Sequence, residues 1–217
     1  MSDAVKRPYN ATRRREQARE NQRRILRAAH ELFVAKGYGR TTMNDVADAA
    51  GLAVETVYAA FRNKPTLLHR TWDVAVGGDD QEVLYHQRPE IQAILGEPDL
   101  RRRLTGFAVS NTAAMRRTAG LHLAVRGAAA SEPVAAAMLA EIDRQRLEAM
   151  AVHASAAAAT GQLAVSEQEC RDVLWSTTDG MLWHRLVELR GWPDERYAAW
   201  LGRLLVSLLT QSMVNGS

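Results

Sequence analysis

The stretch AGLAVETVYAAF, residues 50–61, places one glycine among small residues and then resumes with residues that are compatible with a helix. A glycine inside a helix costs about 1 kcal/mol relative to alanine, so Gly51 is better explained as a break between two helices. Glycine adopts a left-handed backbone conformation without steric cost, and Ala47, one turn earlier, is small enough for two helices to cross there. We therefore predict a helix-turn-helix over residues 42–61.

The apolar side chains of this unit predict which of its faces is buried. The core between the two helices is expected to consist of Val46, Leu52, Val57 and Phe61. The outward face of the second helix then carries small and polar side chains beside a basic one, namely Glu55, Thr56, Tyr58, Ala59 and Arg62. A helix with short side chains on such a face fits the major groove of DNA.

Helical spacing of apolar residues continues on both sides of this unit. A first helix is predicted before Gly37, because apolar residues recur there every three or four positions. Thr42 and Asp45 have the spacing of a capping box, and Lys64-Pro65 suits the first turn of a fourth helix. The sequence GGDD at 77–80 is the clearest break in the chain, and we place a domain boundary there.

Beyond this break the sequence predicts long helices, one of which continues into the alanine-rich tract at 154–159. Ser166 and Glu169 form a second capping-box pattern, which opens a helix expected to cover residues 167–190. A last helix is expected over 194–210. No segment sustains the alternation of polar and apolar residues that is typical of strands, so the predicted fold class is all-α.

These features divide the chain into three predicted regions. Residues 1–18 are polar and basic and are expected to form a flexible arm. Residues 19–78 form the helix-turn-helix domain, and residues 79–217 form a larger helical domain. The first 70 residues carry 14 Lys and Arg against seven Asp and Glu, although the whole chain has a net charge of only +3. A basic first third favours a polyanionic partner, and charge alone also fits a solvated basic tail.

Composition restricts the class of protein further. Hydrophobic residues make up 47% of the chain and charged residues 24%, which is typical of a globular protein. No apolar run approaches the roughly 18–20 residues that cross a bilayer, and the N-terminus lacks the apolar segment of a secretory signal. Cys170 is the single cysteine, which fits a reducing compartment. We therefore expect a cytoplasmic protein without a membrane partner.

Residues 25–68, ILRAAHELFVAKGYGRTTMNDVADAAGLAVETVYAAFRNKPTLL, resemble the DNA-binding domain of TetR-type (TetR/AcrR) transcriptional regulators. The match includes AA-x-ELF in the first helix, Gly-Tyr-x-x-Thr-Thr, Ala-x-x-x-Gly at the turn, and Thr-Val-Tyr-x-x-Phe followed by Asn-Lys. Two residues depart from the family pattern: Ala53, where a serine often caps the recognition helix, and Glu55, where glycine or proline is common. The resemblance implies a repressor that an unidentified small-molecule effector releases from a palindromic operator in double-stranded DNA.

The resemblance also implies roles for individual residues at the DNA. Phosphate contacts are expected from Thr42, Tyr58 and Lys64. Base edges are expected near Met43, Val54, Glu55, Thr56 and Ala59, and Thr41 belongs to the same DNA-binding set. Further contacts, to phosphates or in a minor groove, are expected from Arg13, Arg14 and Arg15.

Two of these assignments have alternatives. The Glu55 carboxylate either accepts a hydrogen bond from cytosine N4 or only stabilises the N-terminus of its own helix. Tyr58 either contacts a phosphate or packs in the core.

In the family, the second half of the chain binds the effector between its middle helices and dimerises through its last two. The expected ligand-binding residues mix apolar surface with isolated polar groups, and they are Phe107, Asn111, Met115, His122, Met150 and His153. The expected homodimer interface contains Trp175, Met181, Trp183, Trp200, Leu204 and Leu208. Tryptophans suit such an interface, and they suit the core of a monomer equally well.

Two other functions stay open on the sequence alone. His184 and Glu188 have the i,i+4 spacing of metal ligands, but no third ligand accompanies them, and the motifs of P-loop, Rossmann and α/β-hydrolase enzymes do not occur in the sequence. We therefore expect no enzymatic activity, no metal and no cofactor. The other alternative is a constitutive DNA-binding regulator whose second half serves only dimerisation.

Overall fold

The computed structural model describes the backbone of residues 6–79 and 85–211, and the side chains from residue 12 onward within these ranges. The N-terminal part contains α1 (Lys6–Lys36), α2 (Met43–Ala50), α3 (Val54–Phe61) and α4 (Lys64–Gly77). A 3-10 turn (Tyr85–Gln87) precedes α5 (Pro89–Gly96), α6 (Leu100–Ala129) and α7 (Pro133–Ala158). Then follow α8 (Glu167–Thr177), α9 (Met181–Trp183), a π-helical turn (His184–Glu188) and α10 (Asp194–Leu209). The described ranges contain no strand, and the predicted all-α fold class is confirmed.

None of these described helices combines the length and the apolar character that a membrane span requires.

The predicted helix-turn-helix consists of α2 and α3. Thr42 caps α2, since its Oγ1 accepts a hydrogen bond from the Asp45 N–H at 3.1 Å and Asp45 Oδ2 accepts one from the Thr42 N–H at 2.8 Å. The Thr42 hydroxyl and then the Thr42 N–H hold the pKa of the Asp45 carboxyl at about 2. Gly51 ends α2 with φ +62°, in the left-handed region, and Arg24 of α1 donates hydrogen bonds to the carbonyls of Ala50 and Gly51. The turn is therefore fixed from both α2 and α1.

Buried side chains form two clusters, which we call the first core and the second core. The first core joins α1–α4 to the end of α6 and the start of α7, with Ile25, Phe33, Leu67, Leu68, Leu121, Met138 and Ile142 fully buried. The second core joins the first half of α6, the second half of α7, α8 and α10, with Leu100, Leu174, Tyr197, Leu201 and Leu205 fully buried. Packing therefore continues across the break at 77–80, because α6 and α7 contribute to the core of the helix-turn-helix.

Of the flexible arm that we expected over residues 1–18, residues 1–5 lie outside the described residues, and residues 6–18 are helical. Within the described residues, α1 begins at Lys6 and continues without interruption to Lys36. Residues 12–22 are rich in Arg, Glu and Gln, which are strong helix formers, and Gln17 bonds to Asn21 across one turn at 3.0 Å. These local preferences extend the helix beyond the part that packs against the first core.

The single helix that we expected over residues 167–190 is interrupted. α8 ends at Thr177, and Gly180 has φ +84°. The hydroxyls of Thr177 and Thr178 donate to carbonyls of the preceding turn at 2.7 and 2.6 Å, and Asp179 Oδ1 accepts a hydrogen bond from the Met181 N–H at 2.8 Å. These side-chain bonds replace the hydrogen bonds of the next helical turn. The segment is therefore two helical pieces joined at a glycine.

Candidate functional site

α3 presents part of the expected DNA-binding set on an exposed face. Glu55 and Ala59, four residues apart on this helix, are exposed, and Tyr58 beside them is 49% exposed. Val57 and Phe61 on the opposite face are buried in the first core. The exposure of Tyr58 argues against its alternative role in the core.

The residues around the start of α3 are also accessible. Thr42 is exposed, and Val54 and Thr56 are half-buried. No described side chain caps α3 at Ala53, where the family often has a serine. Glu55 lies in the first turn, where a carboxylate also interacts favourably with the helix dipole. Both interpretations of Glu55 are therefore compatible with its position.

Two residues of the expected DNA-binding set are not at the surface, and we correct their assignment. Thr41 is 1% exposed, and its hydroxyl donates to the Gly37 carbonyl at 2.9 Å. Met43 is 6% exposed and belongs to the first core. Both lie where the chain enters α2, so Thr41 fixes the preceding loop and Met43 anchors the helix. Neither side chain is available to bases or phosphates.

Lys64 is half-buried at the start of α4. Its Nζ donates a hydrogen bond to the Tyr38 carbonyl at 3.0 Å and lies 4.2 Å from the centroid of the Tyr38 ring. Asn63 caps the same helix, because its Oδ1 accepts a hydrogen bond from the Thr66 N–H at 2.9 Å. Lys64 therefore ties α4 to the loop between α1 and α2, a structural role that the resemblance did not include.

Arg13, Arg14 and Arg15 are exposed on α1. Successive residues of an α-helix are separated by about 100° around its axis, so the three side chains point in different directions. This arrangement suits a diffuse attraction to phosphates better than joint entry into one minor groove.

Part of the expected ligand-binding set lies together between α6 and α7. The rings of Phe107 and His153 meet edge to face with their centroids 4.7 Å apart, and both residues are buried. Met150, one turn before His153, is buried, and its Sδ lies 3.9 Å from the hydroxyl oxygen of Thr178. Tyr85, which no sequence pattern singled out, places its Oη 3.1 Å from His153 Nε2. We call Tyr85, Phe107, Asn111, Met150 and His153 the interior site.

Burial keeps the polar pair of the interior site uncharged. Burial, reinforced by the positive charge of Arg103, lowers the pKa of His153 to about 4. Burial, reinforced by Glu90, raises the pKa of Tyr85 to about 12. At neutral pH the Tyr85 hydroxyl therefore donates to an unprotonated Nε2 of His153.

Asn111 lies one turn after Phe107 and therefore on the same face of α6. Its Nδ2 atom is buried and has no hydrogen-bond partner among the residues that the structure describes. Buried amides in folded proteins nearly always have a partner, so each exception calls for an explanation such as a bound molecule. Asn111 is thus the polar group of the interior site with unused hydrogen-bonding capacity.

Met115 and His122 lie further along α6. Met115 is half-buried, and a Cβ atom placed on Gly180 would lie 3.4 Å from its Sδ. His122 is buried, its Nδ1 bonds to the Asp179 carbonyl at 2.9 Å, and its ring meets Trp72 of α4 at 5.9 Å. Burial lowers the pKa of His122. His122 therefore joins α4, α6 and the break after α8, and it is not part of the interior site.

Two arginines that the sequence did not single out hold the C-terminal end of α4. Arg117 of α6 donates hydrogen bonds to the carbonyls of Ala75 and Val76 at 2.9 and 3.2 Å. Arg88 forms a two-bond ion pair with Asp79, with both N–O distances 3.0 Å. The carbonyls that Arg117 holds are 41 and 42 residues away, so no local sequence pattern could have identified this residue.

The expected interface residues divide into one buried residue and five accessible ones. Trp183 is 3% exposed and its Nε1 donates to Asp194 Oδ1 at 3.1 Å, so we correct its assignment from interface to second core. Leu208 is 46% exposed. The half-buried residues are Trp175, Met181, Trp200 and Leu204. α8, α9 and α10 thus retain accessible apolar side chains.

The groups considered for other chemistry lie apart from these sites. His184 and Glu188 are in the π-helical turn, and the described residues contain no group of three or more His, Cys, Asp and Glu side chains that could hold a metal. Cys170 is fully buried, and burial raises the pKa of its thiol to about 11.

Comparison with known proteins agrees with this geometry. Residues 25–71 match the family of bacterial regulatory proteins of the tetR family. The HTH-type transcriptional regulator TtgR of Pseudomonas putida is 34% identical over 77 residues, which cover 32% of this chain. The match spans only 37% of the length of that relative.

Two solved structures extend the likeness over most of the chain. One is NalD, the secondary repressor of the MexAB-OprM multidrug efflux pump in Pseudomonas aeruginosa. It superposes with a TM-score of 0.62 at 19% sequence identity, and the alignment covers 89% of this chain and 98% of the NalD chain. The other is a transcriptional regulator from Saccharomonospora viridis in complex with choline. It superposes with a TM-score of 0.63 at 18% sequence identity, and the alignment covers 88% of this chain and 98% of that chain. At 18–19% sequence identity, this structural similarity establishes a shared fold and nothing more.

The fold and the exposed α3 face define a helix-turn-helix protein with a larger helical second half. Residues 25–71 match the TetR family, and the resemblance found in the sequence is confirmed over this part of the chain.

Proposed function

We propose that the chain is a DNA-binding transcriptional regulator, a cytoplasmic repressor that a small-molecule effector releases from a palindromic operator. The observation that supports this best is the exposed face of α3 within a domain of TetR type. A protein bound at a promoter excludes polymerase from it, so repression is the simplest direction of regulation.

In this proposal α3 lies in the major groove of the operator. Base edges meet Glu55 and Ala59, with Val54 and Thr56 beside them, and the Glu55 carboxylate accepts a hydrogen bond from cytosine N4. Thr42 and Tyr58 contact phosphates on either side of the groove. Lys64 adds a positive charge near the Tyr38 loop, and the arginines at 13–15 add attraction that does not depend on sequence.

The operator is palindromic because the regulator binds as a homodimer. The accessible apolar side chains at the end of the chain supply its interface, and they are Trp175, Met181, Trp200, Leu204 and Leu208. Two copies of α3 related by a two-fold axis read inverted half-sites in successive major grooves, which recur about every 34–36 Å.

The release of the operator begins at the interior site and reaches the helix-turn-helix through α6 and α4. Phe107 and Asn111 lie on α6, and two turns further along the same helix Arg117 holds the last carbonyls of α4. The Arg117 carbonyl also bonds to His30 Nε2 of α1 at 2.8 Å. A shift of α6 that accompanies effector binding therefore moves both α4 and α1, and it changes the spacing of the two α3 helices.

Selection of binding sites from random double-stranded DNA tests the DNA-binding part of the proposal. We expect two inverted half-sites whose centres are separated by about one helical turn. Tyr58→Phe removes one hydroxyl at the phosphates and should weaken binding about tenfold, as expected for a hydrogen bond to a charged group. Tyr197→Phe, in the second core and outside both the interior site and the DNA-binding set, is the matched control and should leave operator binding unchanged. Recovery of a single half-site bound by monomers, or of no preferred sequence, would contradict the proposal.

The release by an effector is tested by reciprocity. A compound that binds the operator-free state 100-fold more tightly has a coupling free energy of about 2.7 kcal/mol, and operator DNA must weaken its binding by the same factor. Titration of a compound found by thermal shift, with and without operator, measures this factor. If every compound bound equally in both titrations, the constitutive regulator would be the better description.

A further inference from the structure

The interior site brings together aromatic rings and a thioether. Phe107 and His153 present ring edges and faces at 4.7 Å, and the Tyr85 ring lies 6.0 Å from that of His153. Met150 is an unbranched, polarisable side chain that adapts its shape to a neighbouring ring. A third aromatic ring can pack against rings that are already in edge-to-face contact. Such ring pairs contribute more free energy of association than the burial of their surface area alone provides. These side chains thus favour contact with a flat aromatic molecule.

The charges near the interior site are engaged elsewhere. Arg103, whose charge acts on His153, donates its hydrogen bonds to the carbonyls of Glu97 and Ala156. Tyr85 and His153 bond to each other and are both uncharged at neutral pH. An ionic ligand would lose its hydration here without gaining a partner of opposite charge, which is strongly unfavourable.

Among the described residues of the interior site, one directional group is left for recognition, and it is a donor. The Asn111 Nδ2 atom is buried without a hydrogen-bond partner among the described residues, one helical turn from the Phe107 ring. A buried donor without a partner carries the full desolvation cost of the group, and a ligand oxygen that accepts its hydrogen bond removes that cost.

From these three observations we infer that the interior site binds an uncharged aromatic molecule that carries a hydrogen-bond acceptor, such as a ketone oxygen, and that Asn111 recognises this acceptor. The inference rests on the proposed function, since this molecule is the effector that the regulator requires, and it specifies the chemical class of that effector.

Three small probes test the class by ligand-observed NMR with the full chain. Acetophenone combines the ring with a ketone oxygen, ethylbenzene has nearly the same shape without an acceptor, and benzoate adds a negative charge. We expect acetophenone to bind about two- to tenfold more tightly than ethylbenzene, as one hydrogen bond between uncharged groups allows, and benzoate to bind more weakly than both. Equal binding of acetophenone and ethylbenzene, stronger binding of benzoate, or no binding of acetophenone would overturn the inference.

Substitution of the donor locates the recognition. Asn111→Leu keeps the size of the side chain and removes the amide, so acetophenone should lose its advantage over ethylbenzene. The variant should unfold at the same or a higher temperature, because an unpartnered buried donor is removed. Asn111→Ala provides a second variant with the same expected loss of preference, and Asn44→Leu on the exposed face of α2 is the control that should keep it. A preference that persisted in both Asn111 variants would overturn the role of Asn111.

The same proteins separate this inference from the proposed function. Operator binding is measured without any probe, so an intact operator complex together with failed acetophenone recognition would refute only the effector class. Selective binding of acetophenone by a chain that selects no DNA sequence would instead refute the regulator and leave the interior site as a binding site of another kind.

Discussion

The first and second cores differ in the polar side chains that they contain or adjoin. The polar residues buried in or beside the first core, Thr41, Thr71 and His122, all bond to backbone carbonyls. The second core includes or adjoins the buried His153, Thr112 and Thr178 and the unpartnered amide of Asn111. A core that only has to fix geometry does best with apolar groups, whereas polar groups are retained where a ligand has to be recognised. Under the proposed function, this difference gives the first core a scaffolding role and the second core a role in recognition.

A pair of phenylalanines tests this contrast with the largest expected effect. Phe33 is fully buried in the first core and Phe107 is buried beside the interior site. Phe→Ala substitutions in cores cost about 3–5 kcal/mol, and we expect Phe33→Ala near the upper end and Phe107→Ala near the lower end, because the surroundings of Phe107 are adaptable. Urea unfolding of both variants measures the two costs. A greater cost for Phe107→Ala would show that the second core is packed as rigidly as the first.

Acid sensitivity should arise mainly from the second core. The pKa of His153 is about 4 in the folded chain and about 6.5 when unfolded, so between these values the unfolded state binds more protons. Stability should therefore fall as the pH drops from about 6.5 to 4, by at most about 1.4 kcal/mol per pH unit. The buried His122 adds a loss of the same sign, since its pKa is also lowered. Thermal unfolding of His153→Gln and His122→Gln across this range apportions the effect. If the dependence of stability on pH were unchanged in both variants, the acid-sensitive groups would have to be residues other than His153 and His122.

Substitution of two glycines at helix breaks, one in each half of the chain, should have a smaller and more local effect on stability. Gly51 and Gly180 both have positive φ, so alanine at either position should cost about 1–2 kcal/mol. At Gly51 the new Cβ would lie 3.0 Å from the Arg24 guanidinium, which holds the end of α2, so Gly51→Ala should also weaken operator binding. At Gly180 the nearest atoms lie at 3.4 Å, an ordinary contact, and operator binding should be unaffected. Melting temperatures and operator affinities of both variants test this, and the reverse pattern of affinities would contradict it.

The same two glycines show how far the sequence predicts the structure. Gly51 was identified because small and apolar residues at fixed offsets surround it, and these local patterns determine the helix-turn-helix. Gly180 was missed because Leu174, Met181 and Leu186 continue the helical spacing across it, while the side-chain bonds of Thr177 and Thr178 decide the break.

In the candidate sites too, local patterns in the sequence predict some features and contacts between distant residues decide the others. The exposure of Glu55 and Tyr58 follows from helical periodicity, which is local in sequence. The partner of His153 is Tyr85, 68 residues away, and the carbonyls held by Arg117 are 41 and 42 residues away. Such contacts depend on how helices pack, and no spacing in the sequence encodes them.

Lys64 tests the outer edge of the first core with the smallest expected effect. Its Nζ is already bonded to the Tyr38 carbonyl and lies over the Tyr38 ring, so Lys64→Ala should lower stability by no more than about 1 kcal/mol through the loss of this hydrogen bond and ring contact. If Lys64 also contacts a phosphate, the variant should bind all DNA sequences more weakly to the same extent, and the dependence of affinity on salt should decrease by about one phosphate contact. Glu55→Ala is the matched variant, because it should change the preferred base and leave the salt dependence nearly unchanged. An unchanged salt dependence in Lys64→Ala would make Lys64 a purely structural residue of the first core.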